Sequence, residues 1–230
     1  MKAVNLINQA LEYTNEPCIK ALLSDFLRAN TIVKNEKFDL TKYVSNSKSD
    51  TDKKITGIFH EKGFRIATNA YILCVVNQDY PVEYEGKIIT PNGQEIEGKF
   101  PAWQLILPND EDLTGITFTE PVLEILQRIK EEQKVAKIDD SEAFVKLICE
   151  EKTIFFNSKM FVLFLNFMKT FKDTNTGIRY RGIHSYIFAK DDNGNLCMLM
   201  CFNTAGKHEH VVEIQSLVNF SWGGWFSNRF

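Results

Sequence analysis

Phe64-Arg-Ile-Ala-Thr-Asn-Ala-Tyr-Ile-Leu-Cys-Val-Val76 and Glu95-Ile-Glu-Gly-Lys-Phe-Pro-Ala-Trp-Gln-Leu-Ile-Leu-Pro108 are the two stretches that decide the reading of this 230-residue chain. In the first, Tyr71, Leu73 and Val75 alternate with Ile72, Cys74 and Val76, so an extended backbone is apolar on both faces. A strand of that kind belongs in the middle of a sheet or between a sheet and helices. With Ile55–Phe59 it reads as a hairpin turning at Glu61-Lys-Gly63. A second hairpin pairs Lys87–Thr90 with Glu95–Phe100 across Pro91-Asn-Gly93. Pro101 and Pro108 then bracket an extended segment, which sets a domain boundary near residues 108–114.

Outward from this centre, residues 1–30 carry two helical patterns. Val4, Ile7 and Leu11 form one stripe, and Ile19, Leu22, Leu23, Phe26 and Leu27 the other, separated by Asn15-Glu-Pro17. Ser45–Lys54 is polar and reads as an exposed loop. Thr119 caps, and Pro121 opens, a helix to about Lys134 with Val122, Ile125, Leu126 and Ile129 on its apolar stripe. Ser141–Ile148 suits a short helix or a strand equally. Thr153–Phe156 reads as a strand, and a helix from Asn157 or Ser158 runs to Phe171. Ile178–Arg181, Ser185–Lys190 and Leu196–Phe202 read as strands, the last two joined by an Asn193-Gly194 turn. Helices followed by runs of antiparallel strands make an α+β layout.

Four of these segments resemble, in order, landmarks of the bacterial DNA polymerase III β subunit, the sliding clamp. Ala67-Thr68-Asn69-Ala70-Tyr71-Ile72-Leu73 stands for that family's "ATDGHRLA", with Asn69 for its Asp and Ala70-Tyr71-Ile72 for its Gly-His-Arg. Gly98-Lys99-Phe100-Pro101-Ala102-Trp103 stands for "DGRFPDYRRVLP". Phe156-Asn157-Ser158-Lys159-Met160-Phe161, continuing to Phe171, is similar to "FNxKYLLDVLKAL". Leu196-Cys-Met-Leu-Met200 is similar to the closing "YVVMPM", with Leu199 where the Pro stands. The resemblance spans residues 55–203 and leaves the first 54 and the last 25 or so unmatched. It implies a DNA-clamp-like α+β fold: helices packed against curved antiparallel sheets in two clamp-type domains, residues 1–110 and 111–230. The second domain would carry an aromatic C-terminal tail.

Composition fits a folded chain without catalytic signatures. Hydrophobic residues make up 44% and charged residues 25%, and the net charge of −3 gives no bulk attraction to nucleic acid. Five cysteines form no C-x-x-C pair and read as buried small hydrophobes of a reducing compartment. There is no basic region followed by an apolar run at the N-terminus, and no apolar stretch of membrane-spanning length. The expected setting is cytoplasmic, with no membrane partner. No Gly-x-Ser-x-Gly, phosphate loop, dinucleotide fingerprint or His-Glu-x-x-His occurs. Neither a catalytic site nor a cofactor is expected. His208-Glu-His210 sets two imidazoles on one face of a strand without a visible third ligand. Asp191–Asn195 reads as a hairpin turn, because it lacks the terminal Glu of a calcium loop. A pocket assembled around His60 or His184 from distant residues would be the basis for a small-molecule enzyme.

Two features carry the functional expectation. The 157–172 segment has Lys159, Lys169 and Lys172 and no acidic residue. In the family it resembles, this helix lines the hole and meets duplex phosphates without reading bases; otherwise the lysines solubilise an apolar helix. Arg128, Lys130 and Lys134 on the preceding helix are further DNA-binding candidates, diluted by Glu124, Glu131 and Glu132. In the tail, Trp222, Trp225 and Phe226 either fold onto the core or anchor a partner. Gln215-Ser-Leu-Val-Asn-Phe220 also has a thin likeness to peptides that partners insert into clamps. The resemblance implies a non-catalytic, self-associating protein of DNA replication or repair that encircles duplex DNA as a ring or contacts it, and tethers a polymerase or another DNA-processing protein. The alternative is an adaptor of the same fold that binds protein without DNA.

Overall fold

The computed structural model describes residues 38–46, 53–108, 113–136, 143–171, 174–180, 184–202 and 210–219. The chain divides into two compact units, Met1–Phe38 and Asp39–Phe230. The helices expected within residues 1–30 lie outside the described residues. In the second unit the chain order is β1 (Ile58–Glu61), β2 (Phe64–Thr68), β3 (Ile72–Asn77), β4 (Ile88–Ile89), β5 (Glu95–Ile96) and β6 (Thr114–Phe118). Then come α1 (Val122–Ala136), β7 (Phe144–Cys149), β8 (Lys152–Asn157) and α2 (Ser158–Thr170). Strands β9 (Asn175–Arg179), β10 (Tyr186–Lys190), β11 (Leu196–Met200) and β12 (Val211–Asn219) complete it.

All twelve strands join one sheet in the order β5-β4-β1-β2-β3-β11-β10-β9-β6-β12-β7-β8. The fold is α+β, as the sequence implies, but not every pairing is antiparallel. Strand β12 runs parallel to β7, with Val211 opposite Phe144 and Ser216 opposite Cys149. The reason is topological: α1 carries the chain from β6 to β7 past one empty strand position, and β12 enters that gap.

The 64–76 stretch is two strands rather than one. Asn69 breaks it, its side-chain Oδ1 accepting from the N–H groups of Tyr71 (3.1 Å) and Ile72 (3.0 Å). Ala70 donates its N–H to Thr68 Oγ1 at 3.2 Å and takes a φ of 74°, the left-handed region that L side chains avoid. Beyond the break, β2 and β3 pair antiparallel. The other boundaries differ modestly: Lys53–Ile55 is a 3-10 turn ahead of β1, and β4 and β5 are each two residues long. Residues 144–149, open between helix and strand in the sequence, form β7.

Strand β3 has apolar neighbours on both faces, as its alternation requires. Leu73 and Val75 join a buried cluster with Ile66, Ile88, Phe100, Trp103, Phe188 and Met198. Phe100 stacks on Phe59, with ring centroids 5.0 Å apart. On the opposite face lie the fully buried Tyr43, Phe161, Phe164 and Phe167, three of them on α2. The Tyr43 hydroxyl donates to the Leu163 carbonyl at 2.8 Å, and burial pushes its pKa upward. Strand β3 meets β11 with Cys74 directly opposite Cys197, both at 0% exposure. Beside this seam Asn195 Oδ1 accepts from the Asn77 N–H (2.7 Å), while Asp191 accepts from the Asn195 N–H (2.9 Å) and amide (2.7 Å). Asp191–Asn195 is therefore a hairpin turn whose polar groups serve the sheet.

Helix α2 is capped by Asn157, whose side chain accepts from the Met160 N–H at 3.2 Å. Phe161, Phe164, Leu165 and Phe167 face inward at helical spacing. Helix α1 buries Ile125, Leu126 and Ile129, and Gln133 Nε2 donates to Ser158 Oγ at 2.9 Å, tying the two helices together. Among the described residues no helix is long and apolar enough to cross a membrane.

Candidate functional site

Burying the phenylalanine face of α2 leaves Lys159 and Lys169 exposed on its outward stripe, with half-buried Val162 and Asn166 between them. Ten positions at a rise of 1.5 Å put the two lysines about 15 Å apart along the axis. Among the described residues neither has an acidic partner within ion-pair distance. Lys172 lies outside the described residues. On α1, Lys130 and Lys134 are exposed one turn apart, on the edge flanked by exposed Leu123. Arg128 lies on the other edge and is already engaged: its guanidinium donates to Glu120 at 2.7 Å and to the Glu213 carbonyl at 2.8 Å. Of the candidate basic residues, then, two share the α2 stripe, two share an α1 edge, and Arg128 is turned away into an ion pair. Trp222, Trp225 and Phe226 lie outside the described residues.

A second site touches the sequence reading only at His184. Where the Asn69 turn, the C-terminal end of β11 and the N-terminal end of β10 meet, a groove of about 430 Å³ opens at one end of the sheet. Pro101 starts the segment that makes its far wall. Trp103 is buried, and the 3-10 turn Trp103–Ile106 then holds Leu105 (84% exposed) and Ile106 (52%) outward. Tyr71, at 56% exposed, faces them from the strained turn, and Met198 and Met200 line the floor. Arg179 and His184 supply polar ends, the Arg179 guanidinium lying 5.6 Å from the Tyr186 ring centre. Apolar walls with a few convergent polar groups are the common form of a ligand or peptide site. The groove and α2 sit on opposite faces of the sheet and are linked by Asn69, whose amide donates to Met160 Sδ at 3.1 Å. Apart from His184, the groove escaped the sequence reading because its five contributing segments meet only in the assembled fold. The one local signal was Leu105-Ile106-Leu107, too apolar for a plain linker.

Among the described residues His60 and His184 lie in different places. His60 is buried between Tyr80 and Tyr84, with ring centroids 4.9 and 5.3 Å away, and burial holds its pKa below the usual imidazole range. His184 belongs to the groove. His208 lies outside the described residues. Among the described residues no three metal-ligating side chains cluster. The 215–219 segment is a sheet strand rather than a free peptide, with Gln215 opposite Ile148 and Leu217 opposite Thr117. Its likeness to an inserted peptide is thereby corrected: its backbone is already committed to β7 up to Ser216 and to β6 from Ser216 to Asn219.

Neither protein-family models nor curated proteins match the chain. Solved structures do, with 68 chains matching. The fold they share is that of the DNA sliding clamps. The DnaN clamp (DNA polymerase III subunit beta) of Bartonella birtlesii, solved bound to griselimycin, aligns with a TM-score of 0.53 and 14% identity, covering 72% of this chain and 63% of its own. The DNA polymerase III beta chain of Streptococcus pneumoniae gives 0.51 and 10%, covering 72% of this chain and 62% of its own. The chain thus spans less than two thirds of the length of these clamps. It is a divergent member of the clamp fold, and the likeness is one of fold.

Proposed function

We propose that this chain is a non-catalytic, sliding-clamp-like protein of DNA replication or repair. Its α2 stripe meets duplex DNA, and its rim groove tethers a polymerase or another DNA-processing protein. The observation that carries the reading is the pairing of a clamp fold with a helix exposing Lys159 and Lys169 free of any described acidic partner. Such a surface attracts phosphates without reading sequence, so binding should weaken with salt. Lys172, Lys130 and Lys134 extend the basic surface in this reading; Arg128 adds less, because DNA would have to displace Glu120. The division into residues 1–110 and 111–230 belongs to the same proposal, as do self-association and a cytoplasmic setting.

The test is retention of linear and circular duplex DNA at low salt, combined with light scattering over a concentration series. The expected result is self-association and salt-sensitive retention that Lys159→Glu with Lys169→Glu removes. A strictly monomeric protein that retains no DNA at low salt would overturn the ring-forming version. The groove favours a second reading, an adaptor that keeps only the protein contacts. Partner binding lost on Leu105→Glu with Ile106→Glu, in a protein that never retains DNA, is the outcome that selects it.

A further inference from the structure

The β3–β11 seam holds two thiols that neither the basic helix nor the groove uses. Met200 donates its N–H to the Tyr71 carbonyl at 2.9 Å, which makes these residues a hydrogen-bonded pair of the antiparallel ladder. Hydrogen-bonded and non-hydrogen-bonded pairs alternate along such a ladder, so Cys74 and Cys197, three positions on, form a non-hydrogen-bonded pair. In that kind of pair the Cα atoms stand about 4.5 Å apart, within the roughly 4.4–6.8 Å that a disulfide spans. The thiols already touch, Cys74 hydrogen-bonding with Cys197. The flanking residues are small: Ala67 stands opposite Cys74, Ala189 opposite Cys197, and all four are fully buried.

Cys149 stands opposite Lys152 and Ser216, and Cys201 donates its N–H to the Ser185 carbonyl. Among the described residues, then, no other two cysteines face each other across a ladder. Within the described sheet, β3–β11 is also the one ladder that joins β1 to β5 with the later strands. Leu73 and Met198, each the next residue to one of these thiols, line the groove from the two sides of the seam.

We propose that Cys74 and Cys197 are a disulfide-forming pair, oxidised by a peroxide when the seam opens, and that the bond locks the two parts of the sheet together. One thiolate attacks a peroxide oxygen and breaks the O–O bond. The sulfur becomes a sulfenic acid, and the other oxygen takes up a proton and leaves as water. The second thiolate attacks that sulfur, the S–S bond forms, the S–O bond breaks, and the departing hydroxide is protonated to water. Two thiols and one hydrogen peroxide thus give one disulfide and two waters; the sulfurs lose two electrons and the peroxide gains them. Burial holds the Cys74 thiol well above the usual cysteine range, so the closed sheet keeps it protonated and slow to react. Local opening of the seam supplies both the water and the thiolate.

The test treats the full chain with hydrogen peroxide in native buffer, blocks the remaining thiols with iodoacetamide and maps linked peptides by mass spectrometry. The expected product links Cys74 to Cys197 and reverts with dithiothreitol. Free or overoxidised Cys74 and Cys197, or links through Cys18, Cys149 or Cys201 in their place, overturn the inference. The bond closes a loop of more than a hundred residues. It should therefore raise the urea midpoint by about 1 M or more over the same sample re-reduced with dithiothreitol. Methionine oxidation cancels in that comparison, because dithiothreitol does not reverse it. An unchanged midpoint overturns the lock. The rate of bond formation should rise about tenfold or more as urea approaches the midpoint, and a flat rate overturns the opening step. Cys197→Ala should lose both the link and the midpoint shift. Because that variant removes a core side chain and can fail to fold, a second one, Cys18→Ser with Cys149→Ala and Cys201→Ser, keeps the pair. It should form the same link, and a folded protein that does not overturns the inference.

Discussion

Helix α2 and the groove rim use the same kinds of residue to opposite ends. Helix α2 places Phe161, Phe164 and Phe167 fully inside and its lysines outside, so its apolar content is spent on stability. The rim holds Tyr71, Leu105 and Ile106 in water, and keeps Ala70 in a backbone conformation that costs energy. One region shows what the fold requires; the other shows surface and strain that the fold alone does not explain. Departure from the ordinary economy of folding is the better guide to function.

The largest expected contrast is in stability. Phe164→Ala should cost about 3–5 kcal/mol in urea or thermal unfolding, whereas Leu105→Ala should stay within about 0.5 kcal/mol. A comparable loss at Leu105 would mean the rim is core after all. Next comes DNA. Replacing Lys159 and Lys169 by Glu should cut low-salt affinity about tenfold or more and flatten the log–log salt dependence by about one unit per lysine, while Phe164 variants that remain folded keep the slope. An unchanged slope would remove α2 from the interface.

A smaller effect of opposite sign is expected at the rim. Ala70→Gly should stabilise by about 1 kcal/mol, since glycine takes a φ of 74° without steric cost. Loss of stability there would show that the Ala70 methyl is needed for packing. The smallest effect lies away from both regions, at His60. Its folded pKa is held below the unfolded value by burial, so the unfolded chain binds the proton first. Stability should be unaffected above the ordinary imidazole pKa of about 6.5 and fall as pH drops below it, until the folded pKa is passed. His60→Phe should flatten that part of a melting-temperature profile, and an unflattened profile would assign the slope to other groups.

How much of this was legible in the sequence depends on how local each signal is. Helix α2 and the β10–β11 hairpin carry their signals within a few residues: an Asn cap, phenylalanines at helical spacing, an Asn-Gly turn. Val212, Ile214 and Ser216 point inward from β12, a strand the sequence reading does not include, and nothing local says that it lies parallel to β7. The break at Asn69 was hidden because Tyr71 continues the apolar alternation on paper, while in the structure an amide side chain turns it outward. The groove was least legible, since residues from 68 to 200 meet there only after the sheet is assembled.

The β3–β11 seam has a consequence for how the protein is made. Asn77 and Asn195, which close its end, are 118 positions apart. At about 5–20 residues per second on the ribosome, β3 waits roughly 6–24 s with an apolar edge uncovered before its neighbour is synthesised. A nascent chain in that interval presents Ile72 to Val76 as a ready template for foreign strands. Its yield in a cell should therefore depend on chaperone capacity and on translation speed through residues 78–195 more than on the equilibrium stability of the finished fold.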